Sequence, residues 1–470
     1  MARPLHLIFN KSLSLGTFPD FWKTSFIVPI HKSGNRANIQ NYRPVSIIST
    51  IPKIFEKIIT GHLSPLFKNS IINQQLGFRV GKNTELHLIS YVDTLFEALE
   101  GGFEVHSVYT DFSKAFDRVP HGILLQKLQA YGLSGPIFEW IRSYLTDRRQ
   151  LVRVNNFVSS EILVPSGVPQ GSHIGPLLFN LFINDVINCF KSSEFSLFAD
   201  DMKVFKAVGD LDDCLALQDD LDRFAAWCNA NCMDLNIKKC KFIKFSRLHY
   251  SYNFQYHIEG QELSEVDTLR DLGVTLDRSL SFTKHLSEII GKSFKMLGFI
   301  KRHTREFSNI CSLKILYCAL VRTHLEYASC VWNPHYITHV RRIEKIQTKF
   351  LKYINFKFRN NIDFNYGDLC TELNLLPLAS RRDNRDLVLL YKILNNLSDC
   401  PALLSGIGLR VPSRNTRSTH TFHQHFRRTN YACHSFIPRV TALANERQEL
   451  DFFNNTINRF KRRIYSVNPA

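Results

Sequence analysis

The run Ser196-Leu197-Phe198-Ala199-Asp200-Asp201-Met202-Lys203-Val204 constrains this chain more than any other segment. Apolar residues flank its acid pair on both sides, and the alternation over 195–205 reads as a β-hairpin with Asp200-Asp201 at the tip. Two adjacent carboxylates inside a hydrophobic hairpin cost several kcal/mol unless cations hold them. An Asp-Asp pair alone is a weak signal. Asp212-Asp213 and Asp219-Asp220 fall on an amphipathic helical pattern over 212–230, where a solvated face accounts for them. A second apolar strand, 104–112, carries Asp111 near its end in Val108-Tyr109-Thr110-Asp111-Phe112. Carboxylates on two stiff elements, facing one open cleft, are the donor set that hard divalent cations such as Mg²⁺ and Mn²⁺ take.

The remaining pattern sets the architecture around these segments. Helical spacing is present at 4–15, 51–67, 85–99, 124–131, 136–145 and 212–230, and short strands are predicted at 25–30 and 240–245. The stretch 31–41 reads as a polar loop. A hairpin is predicted over 150–164 around Asn155-Asn156, and a Pro/Gly-rich loop at 165–171 leads into a helix reaching Cys189. Beyond residue 277 the pattern is mainly helical, at 283–302, 310–328 and 338–354, followed by a mixed, Arg-rich segment. Strands alternating with helices and then helices alone imply an α+β body followed by an α region. A length of 470 residues suits two or three domains, divided here as 1–276, 277–355 and 356–470.

Charge divides the chain in the same place. The formal net charge is +17, yet residues 1–276 hold 28 basic and 28 acidic side chains, and residues 277–470 hold 31 basic and 14 acidic ones. A neutral, carboxylate-bearing front followed by a basic back suits a catalytic body with an extension that holds a polyanion. Arg427-Arg428 and Lys461-Arg462-Arg463 are candidate phosphate contacts, and Tyr431 and Phe436 among them either stack on unpaired bases or form a small core. On this reading residues 356–470 can be removed with more loss of binding than of chemistry. The eleven cysteines show no C-x-x-C and no zinc-like spacing. Scattered free thiols fit an intracellular setting, nuclear or cytoplasmic. The longest apolar stretch, near 174–183, is interrupted by Gly175, Pro176 and Asn180, so no membrane partner is expected.

Several motifs now fall in a recognisable order: Pro29-Ile30-His31-Lys32-Ser33-Gly34, Asn41-Tyr42-Arg43-Pro44-Val45-Ser46, Gly77-Phe78-Arg79 with Thr84-Glu85, YTDFSKAFDRVPH at 109–121, SGVPQGSHIGPLLFNLFIND at 166–185, FADD at 198–201, Asn236 to Lys241, Asp271-Leu272-Gly273-Val274, and LYCALVRTHLEYASCVWNP at 316–334. Together they resemble the reverse transcriptases of non-LTR, LINE-type retrotransposons, closest to the Jockey-like elements. The resemblance implies a right-hand polymerase with fingers and palm over 1–276, a helical thumb over 277–355 and a mainly helical basic C-terminal region. It implies RNA-directed DNA synthesis by two-metal nucleotidyl transfer, on an RNA template with a DNA primer and dNTPs. Asp111, Asp200 and Asp201 become the catalytic, metal-binding carboxylates, with the Phe112 carbonyl as a further oxygen ligand. Phe116 stands where the family keeps an aromatic gate against the ribose 2′ hydroxyl. Gln170 and Gly171 stand against nucleotide and template, Lys32 and Arg43 at the triphosphate, and Lys239 where a lysine protonates pyrophosphate, in competition with Lys238 and Lys241.

The chain departs from the family pattern at Phe198, where tyrosine is common, and at His173 and Ile174, where small apolar residues are common. His173 reads as a loop residue and Asp117 as a structural hydrogen-bonding group. Met1 begins inside the lead-in to the fingers, so the chain resembles a truncated copy whose endonuclease activity comes from elsewhere. Two rival readings are a silent remnant that only binds nucleic acid and an organellar intron maturase. The intact carboxylates weigh against the first, and the LINE-like 316–334 segment against the second.

Overall fold

The computed structural model describes residues 2–32, 34–248, 251–359, 363–410 and 420–466. Met1 and Ser33, both named above, lie outside them.

A five-stranded sheet forms the centre, in the order Ser264–Glu265, Lys241–Phe245, Glu104–Thr110, Asp201–Val208, Glu194–Phe198. Glu104–Thr110 lies in the middle and is buried along nearly its whole length, so its polar side chains find partners inside: His106 Nε2 lies 3.1 Å from Glu104 Oε2, and Ser107 accepts from the Tyr91 hydroxyl at 2.8 Å. It runs antiparallel to Asp201–Val208 with Thr110 opposite Met202, and the hairpin pairs Phe198 with Asp201. One further step in that register sets Asp111 beside Asp201. The helices Thr84–Glu100 and Leu211–Ala230 pack on the sheet.

A second sheet stands in front of this one. Thr24–His31 pairs antiparallel with Tyr42–Ile47 and parallel with Arg149–Val154, which turns back at Asn155 to Phe157–Val158. The strand Tyr42–Ile47 follows the stretch read from sequence as a polar loop, and its pairing rather than its composition makes it a strand.

The helices predicted beyond residue 277 are present, with one difference. The segment expected as one helix over 310–328 is Ile310–Leu316, a π-turn over Tyr317–Arg322, and Thr323–Glu326, after which Ala328 takes φ 51° and Ser329–Trp332 starts a new turn. The break lets Tyr327 donate from its hydroxyl to the Leu272 carbonyl at 2.8 Å, and lets Trp332 Nε1 reach the Tyr327 carbonyl at 3.0 Å.

The acid pairs on the helix Leu211–Ala230 need a correction. Asp219 is exposed, but Asp220 is fully buried and accepts from the backbone N–H groups of Lys191, Ser192 and Ser193 at 2.7–3.0 Å and from Arg223. Burial pushes its pKa up, and these donors more than offset it, so the carboxyl sits below its ordinary range. It is a loop clamp, not a solvated residue.

The Arg-rich segment is docked on the body. A single apolar core joins the helix Thr84–Glu100, the helices Thr283–His303 and Ile337–Phe358, and side chains as far as Phe460 and Ile464. Arg427 pairs with Glu97 and Glu100 at 3.2 and 3.1 Å, Arg385 with Glu85 at 3.1 Å, and Arg439 with the buried Asp386 at 2.9 Å. Phe436 is part of the core, and Tyr431 packs against Phe96. Arg427 is therefore engaged with carboxylates instead of standing ready for phosphate, whereas Lys461, Arg462 and Arg463 are exposed. The helix Leu378–Leu394 packs on Ile337–Phe358 and on Ser329–Trp332. Deleting 356–470 is thus expected to expose a core instead of freeing a lean polymerase. The shortened protein should aggregate or lose its cooperative melt in size-exclusion and thermal unfolding experiments. A monomeric 1–355 product with a sharp melt would show that the front of the core stands alone.

Candidate active site

Each carboxylate is placed by local structure. Asp111 follows the last residue of the central strand, and its backbone is pinned by the loop 234–240: the Asn236 N–H donates to the Asp111 carbonyl at 2.7 Å and the Ser113 N–H to the Asp234 carbonyl at 2.8 Å. Phe112 turns inward and packs edge-on against Phe224. Asp200 lies in a two-residue turn, Ala199-Asp200, in which Ala199 takes φ 61°, and Asp201 opens the strand that follows. A left-handed alanine is unfavourable, so something must hold it.

What holds it is Gln75, 1% exposed. Its Oε1 accepts from the Ala199 N–H at 2.9 Å and from the Gly77 N–H at 2.8 Å, and its Nε2 donates to the Ala199 carbonyl at 3.2 Å. The segment 74–76 also pairs with Leu197 through two backbone bonds of 2.9 Å. Gly77 passes so close that a Cβ there would stand 2.2 Å from the Ala199 nitrogen. The motif Gly77-Phe78-Arg79 is thus a backbone seat for the acid turn. Gln75 was not picked out from sequence, and only its place two residues before that motif could have drawn attention to it.

The electrostatics are those of a crowded anionic floor. Burial, then the Asp111 charge, raises the Asp200 pKa, opposed by its own backbone N–H, Arg43 and Lys32. Asp201 is open to solvent on its outer side, but burial on its inner side, then Asp200, Asp271 and Asp111, pushes it up to about 6. The two cations that act on Asp200, Lys32 and Arg43, are exposed residues of the front sheet, with Arg43 opposite Ile30 and the Lys32 N–H on the Asn41 carbonyl at 2.8 Å. Lys239 reaches in from the other side, its Nζ 3.2 Å from Asp111 Oδ2. Among the described residues no three Asp, Glu, His or Cys side chains close into a finished metal cage. Three neighbouring carboxylates, two of them with raised proton affinity and the third with an ammonium drawn onto it, nevertheless fit a divalent cation site.

Beside the acids, the ring of Phe116 is half-buried, stacked on Phe179 at 4.4 Å with Phe78 edge-on at 6.0 Å. The Gln170 side chain donates to Asp117 Oδ1 at 2.9 Å, which gives Asp117 the structural role expected of it. The loop 165–171 is strapped to the front sheet and to the helical turn Ala115–Arg118. The Val168 N–H donates to the Phe116 carbonyl at 2.7 Å, and the Ser46 N–H to the Gln170 carbonyl at 2.9 Å. Gly171 takes φ 112°, and a Cβ there would lie 2.8 Å from the Ser46 carbonyl. His173 is exposed, and its N–H donates to the buried Glu56 at 2.7 Å.

Behind the acids lies a buried network that the sequence did not disclose. Lys203, 2% exposed, pairs with Asp271 and sits 4.0 Å from the centroid of the Tyr91 ring. The Tyr109 hydroxyl donates to Asp271 at 3.3 Å, and Tyr91 donates to Ser107 at 2.8 Å. Lys203 follows Asp201 by two residues, so this pair ties the hairpin Thr268–Asp277 to the strand that carries Asp201.

Residues 30–300, more than half of the chain, match the family described as reverse transcriptase (RNA-dependent DNA polymerase). The chain belongs to the reverse transcriptases. Its relatives are those of LINE-type retrotransposons. The RNA-directed DNA polymerase from mobile element jockey of Drosophila funebris is 31% identical over 366 residues, covering 75% of this chain and 40% of the relative. The probable RNA-directed DNA polymerase from transposon X-element of Drosophila melanogaster is 30% identical over 364 residues, covering 74% of this chain and 39% of that protein. This reverse transcriptase thus spans about two-fifths of the length of the relatives it matches. Among solved structures, telomerase from Candida tropicalis in complex with the TWJ fragment of telomeric RNA aligns at 12% identity and a TM-score of 0.45, over 95% of this chain and 65% of that one. The α+β architecture is that of a right-hand polymerase, and no described helix is long and apolar enough to cross a membrane.

Two outcomes follow for this reverse transcriptase. Gln75→Ala removes both partners of the Ala199 peptide and is expected to destabilise by about 1–3 kcal/mol. Its primer extension should fall well below that of a surface variant of equal stability, read as extension rate against thermal midpoint. For Asp201 the folded-state pKa near 6 lies above the ordinary carboxyl value of about 4, so the folded protein holds the proton more tightly. Stability therefore falls as pH rises from about 4 to about 6 and stays lower above that range. Asp201→Asn is expected to raise the melting temperature above pH 6 and to leave it unchanged near pH 4. Mg²⁺ should stabilise the parent more than the variant.

Proposed function

We propose that the chain is an RNA-directed DNA polymerase that extends a primer 3′ hydroxyl with deoxynucleotides. The observation that carries this reading is the convergence of Asp111, Asp200 and Asp201 on one open floor, faced by Lys32 and Arg43 from the opposite sheet. Asp111, Asp200 and Asp201 would hold two Mg²⁺ or Mn²⁺ ions with the Phe112 carbonyl, and such ions activate the attacking hydroxyl and neutralise the leaving pyrophosphate. Lys32 and Arg43 bind the triphosphate. Phe116, propped by Phe179 and Phe78, blocks the ribose 2′ hydroxyl. Gly171 lets backbone approach nucleotide and template, while Gln170 fixes the loop through Asp117. Lys239, whose Nζ lies 3.2 Å from Asp111 Oδ2, would donate a proton to pyrophosphate.

The division into fingers and palm over 1–276, thumb over 277–355 and a basic region over 356–470 belongs to the same proposal. A groove of about 630 Å³ between the hairpin Thr268–Asp277 and the helix Thr283–His303 is lined by Arg270, Lys284, Lys292 and Lys295 against one carboxylate, Glu288, a basic excess suited to the phosphates of a template–primer duplex. The substrates are an RNA template, a DNA primer and dNTPs, the setting is the nucleus or cytoplasm, and target nicking comes from an endonuclease outside these residues.

Asp200→Asn is expected to abolish primer extension while template binding, which rests on phosphate contacts, stays near the parent value. Extension at the parent rate would remove the carboxylates from the chemistry. Phe116→Val should lower the ratio of dNTP to rNTP incorporation, and an unchanged ratio would make Phe116 a packing residue only.

A further inference from the structure

A second site lies at the far end of the central sheet. The strand Lys241–Phe245 sets Lys241 opposite Tyr109 and Phe245 opposite Val105. Arg247 therefore stands six residues along from the catalytic end, about 20 Å away at ~3.3 Å per residue. There a cavity of about 180 Å³ opens between Arg247, the segment Trp332–His339 and the segment Asn430–Arg439.

Its walls are rings. His335 and His434 stack with centroids 4.1 Å apart and planes within 5°, and the His335 ring is 4.0 Å from that of Tyr336. The Arg247 guanidinium lies 4.0 Å from the centroid of Tyr431. The wall is fixed from behind. Arg439 donates to Asp386, to the His434 carbonyl at 2.6 Å and to the Cys330 carbonyl at 2.7 Å. The Asn430 amide is 3.2 Å from His335 Nε2. Burial, then His434, Arg439, His339 and Arg247, hold His335 down at about 4, so its imidazole is neutral at physiological pH. None of the described lining residues is a carboxylate, and among the described residues none forms an ion pair with Arg247. Tyr336 is 56% exposed and offers its ring to solvent.

Each feature narrows the ligand. A sugar would call for carboxylate acceptors, and a simple anion has no use for stacked rings. A planar group with a nearby negative charge uses both the rings and the guanidinium. The volume is below the ~300–1,000 Å³ typical of pockets that enclose a whole small ligand, and it suits one base with its phosphate left at the rim. We propose that this cavity binds an unpaired nucleotide of a single-stranded nucleic acid, with the base against Tyr336 and the His335–His434 stack and the phosphate on Arg247. The inference goes beyond the polymerase reading, because the cavity shares no residue with the acid floor. The docked C-terminal segment takes part directly, since His434 and Tyr431 complete an anchor for a strand that has left the duplex.

The test uses the full chain and a fluorescent single-stranded oligouridylate carrying one 5-bromouridine. Ultraviolet crosslinking is expected to mark Tyr336, Tyr431, His335 or His434. Tyr336→Ala should weaken oligomer binding about tenfold, whereas Tyr336→Phe, which keeps the ring, should bind like the parent. Arg247→Gln should weaken binding and reduce the slope of log affinity against log salt by about one unit. Primer extension on saturating template–primer should be unchanged in all three. Unchanged oligomer affinity in both Tyr336→Ala and Arg247→Gln overturns the proposal, as do crosslinks confined to other residues. Equal competition by uridine monophosphate and by the oligomer would make this a free-nucleotide site and overturn the strand reading. If Tyr336→Ala lowers the thermal midpoint, Arg247→Gln, on an exposed side chain, decides alone. Loss of extension in Asp200→Asn has no bearing on any of these readouts, so the two proposals fail separately.

Discussion

Mutual repulsion among Asp111, Asp200 and Asp201 is the constraint that the rest of the structure serves. Burial and the neighbouring carboxylates raise the proton affinity of Asp200 and Asp201 at the end of the central sheet, which is unfavourable for folding in the absence of cations. The surrounding structure opposes that strain through rigid backbone. The loop 234–240 pins Asp111, the Gln75 amide holds a left-handed Ala199, and Gly77 leaves room for both. Lys32, Arg43 and Lys239 bring positive charge from two directions without closing the cleft.

The same logic extends behind the sheet. A buried lysine two residues from Asp201 is stable only with a partner, and Asp271 supplies it from the hairpin Thr268–Asp277. The tip of that hairpin is held by Tyr327, whose hydroxyl donates to the Leu272 carbonyl at 2.8 Å and stands 3.3 Å from the Thr84 hydroxyl. An unbroken physical path of ion pair, hairpin and tyrosine thus joins the acid floor to the helical part of the chain. The loop 165–171 does the equivalent work in front, bonded at once to Ser46 and to Phe116.

The basic C-terminal segment shows how position changes the meaning of charge. Its excess of arginine is plain in the sequence, yet Arg427, Arg385, Arg439 and Arg381 are paired with Glu97, Glu85, Asp386 and Glu326. They fasten the segment to the body. Exposed cations remain at Lys461–Arg463, and Arg247 stands over a ring at the cavity. Net charge alone could not separate fastening arginines from free ones, because the distinction lies in which helix each one faces.

Local pattern was sufficient for most of the elements. The apolar flanks of Asp200-Asp201 required a hairpin, the strand ending near Asp111 required a place beside it, and helical spacing located the helices within a few residues. The meeting of the acids was legible because Asp111 and the pair Asp200-Asp201 each follow an apolar run of strand. Tertiary structure alone decided the rest. Tyr42–Ile47 became a strand through its partner Thr24–His31, and Asp220 was drawn inside by three distant N–H groups. Gln75, Lys203, Asp271 and Glu56 acquired their roles from residues more than 60 positions away. A sequence displays period and composition, which fix what a segment can become. It does not display which buried donor meets which acceptor, since that follows from packing that no single segment contains.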